Sequence, residues 1–168
     1  FEGVELRTTH KHGVEVTLSK AQRGEIKKRF ADSPVELASM GSAFDYHTAD
    51  QAKLRKDIEA TKEYIVLAHD VGATGVKVRP NGIAKELGVD KTLDQIGRSL
   101  RELGEFAQGY GQQIRLEVHG NPTSQVPYCR KMMDVANHPL VGLCWNSNPT
   151  DLAGEGFEAN FALAKDKI

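Results

Sequence analysis

The chain has 168 residues, 39 % apolar and 27 % charged, and its 22 Lys and Arg against 23 Asp and Glu leave a net charge of −1. Ample apolar material with almost no net repulsion excludes a disordered chain, and no run approaches the roughly 18 apolar residues of a membrane span. The balanced charge argues against broad electrostatic capture of nucleic acid or of a membrane surface, so neither is expected as a partner. Two cysteines, Cys129 and Cys144, are too few for a disulfide scaffold and read as two buried thiols. The chain opens on Phe1 rather than Met, already in strand-like sequence. It is therefore expected to start inside a domain, with any targeting segment missing ahead of it and the cytoplasm as the default compartment.

The first strand is predicted over 4–7. A helix follows over about 19–30, where Ser19 and Gln22 have capping-box spacing and Asp32, Ser33 and Pro34 form the stop. A second strand over 37–43 leads to a helix with Asp50 as N-cap and Leu54, Ile58, Thr61, Ile65 and Ala68 along one face. The third strand, 75–80, precedes a helix expected to begin at Thr92 and Gln95. Its stripe of Leu93, Ile96, Leu100, Leu103, Ala107 and Tyr110 follows a 3.6-residue period. The fourth strand, 114–120, precedes a helix that starts near Ser124, carries Pro127 in its first turn and stops at Asn137, His138 and Pro139. The fifth strand, 141–147, precedes a helix carrying Phe157, Phe161, Ala164 and Ile168.

Strand then helix, repeated, implies parallel strands joined by crossover helices, an α/β fold. Strand midpoints are spaced by about 35, 37, 40 and 27 residues, close to the roughly 31 per unit of a (β/α)8 barrel. A doubly wound sheet fits the same alternation, but the Gly-rich dinucleotide and phosphate-loop fingerprints that often mark it are absent. The expectation is a partial (β/α)8 TIM barrel of about five consecutive units.

Three of the strands alternate apolar and charged residues. Val4 and Leu6 alternate with Glu5 and Arg7, Val76 and Val78 with Lys77 and Arg79, and Ile114, Leu116 and Val118 with Arg115, Glu117 and His119. Period two places each set on one face. Parallel sheets are covered on both faces, so the charged set has to line a barrel interior as a paired network. An antiparallel sheet with its charges in water is the plainer alternative. The strand ends and the loops after them carry Arg7, Thr8, His10 and His12, then Ser42, Tyr46 and His47, then Arg79 and Asn81, then Glu117, His119 and Asn121, then Asn146 and Asn148. In barrel enzymes that rim is where catalysis occurs, and this mixture of groups suits a sugar or polyol.

Glu117, between Leu116 and Val118, has to be paired, protonated or metal-bound. An ion pair with Arg115, Arg79 or Lys77 is its structural reading, proton transfer or metal binding its functional one. His119 is a ligand, an acid or a substrate donor, or a plain hydrogen-bonded histidine. His10 and His12 have the spacing of a two-histidine metal pair, which raises an amidohydrolase-type alternative.

In order and spacing, Phe1-Glu2-Gly3-Val4-Glu5-Leu6-Arg7, Gly72-Ala73-Thr74-Gly75-Val76-Lys77-Val78, Ile114-Arg115-Leu116-Glu117-Val118-His119-Gly120 and Val141-Gly142-Leu143-Cys144-Trp145-Asn146 resemble the second to sixth strand units of the xylose isomerase-like barrel superfamily. The likeness is to its sugar phosphate isomerase/epimerase branch. The resemblance implies an incomplete barrel, inactive on its own, from a divalent-metal enzyme (Mn, Mg, Co or Zn) that moves a proton beside a carbonyl of a sugar or polyol. It places the metal-binding, proton-exchanging glutamate on Glu117 and a second metal ligand, usually aspartate, on Asn146. Arg7, Arg79, His119 and Asn121 are the expected substrate contacts. The remaining ligands of that family lie beyond Ile168. Open edges are compatible with a homo-oligomer. The alternatives are a non-catalytic polyol-binding barrel and a metal-dependent hydrolase or endonuclease of the same superfamily.

Overall fold

The computed structural model describes residues 1–168. Strands β1 (Gly3–Arg7), β2 (Glu36–Gly41), β3 (Gly75–Val78), β4 (Gln113–Glu117) and β5 (Val141–Cys144) alternate with helices α1 (Lys20–Ala31), α2 (Gln51–Val71), α3 (Gly88–Gln108), α4 (Val126–Ala136) and α5 (Phe157–Ala164). The strands form one sheet in the order β1-β2-β3-β4-β5, each neighbouring pair parallel. A doubly wound sheet reverses its strand order at a switch point. Here each strand lies beside its predecessor, and right-handed crossovers then put every helix on the same side. The fold is α/β, five units of a partial (β/α)8 barrel.

Register turns the alternating sequences into rows. Val76 pairs with Ile114, Lys77 with Arg115 and Val78 with Leu116. The apolar row (Val76, Val78, Ile114, Leu116) is fully buried beneath the helices, and the charged row occupies the concave face. On the helix side, Leu54, Ile58, Thr61, Ile65 and Ala68 of α2 are buried, as are Leu93, Ile96, Leu100, Leu103 and Ala107 of α3. These residues, apart from Thr61, belong to a core of 30 buried side chains. Helix α1 buries none fully, although Ile26 and Phe30 rest partly buried against that core. At Gly97 a Cβ would lie 2.5 Å from that of Val135, so glycine there lets α3 and α4 approach.

The caps at Ser19 and Asp50 form as read from the sequence: Ser19 and Gln22 make a reciprocal box, and Asp50 accepts from the amides of Ala52 and Lys53. Other boundaries differ. Helix α3 begins at Gly88, a turn before Thr92. The Thr92 hydroxyl donates to the Gly88 carbonyl inside the helix, and Gln95 donates across to the carbonyls of Tyr46 and Thr48. Helix α4 begins at Val126, because the Ser124 amide is held by the Gly120 carbonyl in the preceding turn. The strands stop short of 43, 80, 120 and 147, where the loops that carry the polar rim take over. Ile168 lies beyond α5 and is exposed.

Candidate active site at the carboxyl ends of the strands

On the concave face the charges form one chain. Lys77 Nζ lies 2.8 Å from Glu5 Oε1 and 3.4 Å from Glu117 Oε2, and Arg79 Nε donates to that same Glu117 oxygen at 3.2 Å. The Asn146 amide donates through Nδ2 to Glu117 Oε1 at 2.9 Å. Gly41 beside this chain keeps the space through which the Glu5 carboxylate passes toward Lys77. The Glu117 side chain is 8 % exposed, Lys77 17 % and Arg79 19 %. Burial works against the Lys77 charge, but its hydrogen bond to Glu5 and the nearby carboxylates outweigh that, and its pKa rises above the ordinary lysine value. Arg115 turns to the opposite end of the sheet, bonding Thr74 Oγ1 at 2.7 Å and the Ala38 carbonyl at 2.9 Å.

A second polar chain crosses three loops at the same end. Asn81 Nδ2 lies 3.1 Å from Asp45 Oδ2, and Asn81 Oδ1 lies 3.1 Å from His119 Nδ1. The other Asp45 oxygen faces His47 Nδ1 at 3.1 Å and Lys53 Nζ at 3.6 Å.

Of the residues singled out from the sequence, Glu117, Arg79 and Asn146 therefore meet directly, and His119 stands two residues beyond Glu117 on the Asn81 side. Arg7 and Asn121 are not drawn in. Arg7 is exposed without an ion-pair partner. Asn121 is exposed, precedes Pro122 through a cis peptide bond, and its side chain bonds nothing in the chain. Tyr46 belongs to the core rather than the rim: it is fully buried with its hydroxyl 2.8 Å from Thr61 Oγ1. Both ring nitrogens of His12 are occupied, Nε2 by the Arg7 carbonyl and Nδ1 by the Val14 amide, so His10 and His12 do not present a two-histidine pair. Cys129 is buried and its thiol pushed up to about 12 by that burial. Cys144 is only partly buried, because it sits on the open concave face beside Glu117, and burial still raises its pKa.

Sequence reasoning passed over Asp45 and treated Lys77 only as an ion-pair partner. Asp45 lies in the same post-strand loop as Tyr46 and His47, flanked by aromatics, a signal that marks a carboxylate held against the body of the protein.

No three His, Cys, Asp or Glu side chains converge on a point that would hold a metal. Both Glu117 oxygens already accept from cationic or amide N–H groups, and Asn146 presents its N–H rather than its oxygen. As folded, Glu117 and Asn146 do not fit a divalent cation.

Among curated proteins no sequence matches the chain. Solved structures do match in fold. L-ribulose 3-epimerase superposes with a TM-score of 0.80 at 17 % identity, covering 100 % of this chain and 58 % of that one. D-psicose 3-epimerase, in the presence of D-fructose, gives 0.79 at 12 % identity, covering 98 % and 60 %. The IolI protein with a bound zinc atom gives 0.78 at 18 % identity, covering 95 % and 58 %. The chain thus spans about 60 % of the length of these structures. The family model described as xylose isomerase-like TIM barrel matches residues 1–168. Order, register, the polar strand ends and that match agree: the chain belongs to the xylose isomerase-like TIM barrel family.

Proposed function

We propose that this chain is the larger part of a sugar or sugar-phosphate isomerase or epimerase, in which Glu117 moves a proton beside the substrate carbonyl. The observation that carries the reading is a nearly buried carboxylate at the carboxyl end of a central barrel strand, with two cations within 3.4 Å. The Glu117 carboxylate takes the proton from the carbon next to the carbonyl. The electron pair left behind delocalises onto the carbonyl oxygen, where Arg79 and Lys77 offset the developing charge. In isomerisation Glu117 returns the proton to the former carbonyl carbon, while the hydroxyl proton of the deprotonated carbon passes to the former carbonyl oxygen. In epimerisation Glu117 keeps its proton and a second acid delivers another to the opposite face of the same carbon. His119 and Asn146 orient hydroxyls, with Arg7 and Asn121 as outer contacts.

No step is routed through a metal, because the donors present do not fit one. A divalent ion at Glu117 and Asn146 requires the Asn146 amide to turn its oxygen inward and further donors from outside residues 1–168. Asn146→Asp in the full-length protein tests it. Tighter Mn²⁺ binding by calorimetry supports a metal there, since hard-oxygen sites gain affinity with ligand charge. Unchanged affinity removes Asn146 from that role.

The direct test is Glu117→Gln in the full-length protein, with circular dichroism as the check on folding. The probe is exchange of the hydrogen next to the carbonyl for deuterium, read by proton NMR over a panel of ketoses and their phosphates. Losing an acid/base group costs roughly 10²–10⁴-fold in rate, and exchange at the wild-type rate ends the reading. A non-catalytic polyol-binding barrel is the second reading, favoured by the engagement of both Glu117 oxygens. It predicts sugar binding with no exchange in either protein.

A further inference from the structure

Asp45, Asn81 and His119 follow β2, β3 and β4 respectively, and Asn81 joins them. Asn81 holds a left-handed backbone, φ 58°, against Gly120, where a Cβ would come within 2.8 Å of the Asn81 Cα. This pins the asparagine between the two loops.

The hydrogen-bond chemistry then runs in one direction. An ionised carboxylate offers only acceptors. Lys53 and His47 face one Asp45 oxygen, which leaves Oδ2 to Asn81. The amide group turned to Asp45 is therefore the NH2, and the amide carbonyl faces His119. A ring nitrogen opposite a carbonyl carries the proton, so Nδ1–H donates, and in the neutral ring Nε2 then keeps its lone pair. Nothing in the chain bonds His119 Nε2.

We propose that Asn81, oriented by Asp45, is a positioning residue that holds neutral His119 in its Nδ1-protonated tautomer, so that Nε2 accepts from a substrate hydroxyl. Neutral His119 then selects a group with a proton to give, not a phosphate or carbonyl oxygen, on its side of the site. The role of Nε2 toward a substrate rests on the function proposed above; the tautomer does not.

The experiment is long-range ¹H–¹⁵N NMR on the full-length protein labelled with ¹⁵N-histidine, in alkaline buffer, with the His119 ring assigned by its loss in His119→Gln. The wild-type ring is expected to be protonated at Nδ1. Asn81→Gly keeps the left-handed backbone at no steric cost and is expected to release the ring toward the Nε2-protonated form. Asp45→Asn is the second variant. Its amide satisfies Asn81 in either orientation, so a mixture of tautomers is expected. A wild-type ring protonated at Nε2, or a tautomer that neither folded variant moves, overturns the proposal. Glu117→Gln separates the two readings: unaltered exchange in that variant ends the proton-transfer function, while the His119 tautomer in the wild type still stands or falls alone.

Discussion

Strands β1 and β4 are written in nearly the same pattern and meet different fates. In β1, Val4 and Leu6 alternate with Glu5 and Arg7; in β4, Ile114 and Leu116 alternate with Arg115 and Glu117. In β4, between two neighbours, Ile114 and Leu116 are fully buried and the Glu117 side chain is 8 % exposed. In β1, with a neighbour on one side only, no residue is buried and the Glu5 side chain is 33 % exposed. Alternation decides which face a residue takes. Position in the sheet decides what being on that face is worth. The same carboxylate chemistry is a half-solvated strut in one strand and the centre of a site in the other.

The largest effects that would break this comparison lie in the apolar row. Ile114→Ala should cost about 2–5 kcal/mol, the range for large-to-small changes in a packed core. Leu6→Ala, only partly buried, should cost about 1 kcal/mol by area. Urea unfolding of the two variants checks the ratio. Equal losses would mean that β1 is as deeply packed as β4.

The charged row comes next. Lys77 bridges Glu5 and Glu117, so removing either charge leaves it one partner. Glu117→Gln also strips Arg79 of its carboxylate. Removing one partner of a fully buried pair costs roughly 3–5 kcal/mol. Here about 2 kcal/mol is expected, because Lys77 keeps Glu5 and the new amide oxygen still accepts. Glu5→Gln should cost about 0.5 kcal/mol, the range of partly solvated pairs. The same unfolding measurement decides between them, and a larger loss for Glu5→Gln would move the centre of the network to β1.

How much of this was legible follows from what carries each feature. The periodicities of α2 and α3 and the two caps at Ser19 and Asp50 are local, and the structure repeats them. The concave charged face was legible because period two together with helix-linked parallel strands leaves only one place for it. The choice among Arg115, Arg79 and Lys77 as partners of Glu117 was not. It depends on which end of the strand each side chain leans toward, and Arg115 leans to the end opposite Glu117. Tyr46 was misplaced on the rim because a loop position carries no periodicity; its partner Thr61 lies 15 residues on, in α2. Asp45 was missed for the same reason, since its meaning comes from Asn81, 36 residues away.

The smallest expected effect is a pH dependence, and it sharpens the contrast from the cation's side. Burial pulls the Lys77 pKa down, while the Glu5 hydrogen bond and the charges of Glu5 and Glu117 raise it further, so the net shift is upward from 10.5. A cation whose folded value is raised contributes stability that is fully present below the unfolded value. That contribution is lost as pH rises through the higher folded value. The stability difference between the wild type and Lys77→Gln should therefore be constant across neutral pH and shrink only above about pH 10. With the Lys77 side chain 17 % exposed and the Glu5 carboxylate 33 % exposed, a change of about 1 kcal/mol or less is expected. Removing Glu5 as well should flatten it, because the Glu5 hydrogen bond does most to raise the value. A difference that shrinks just as much without Glu5 would assign the effect to Glu117 and make β4 alone the seat of the network.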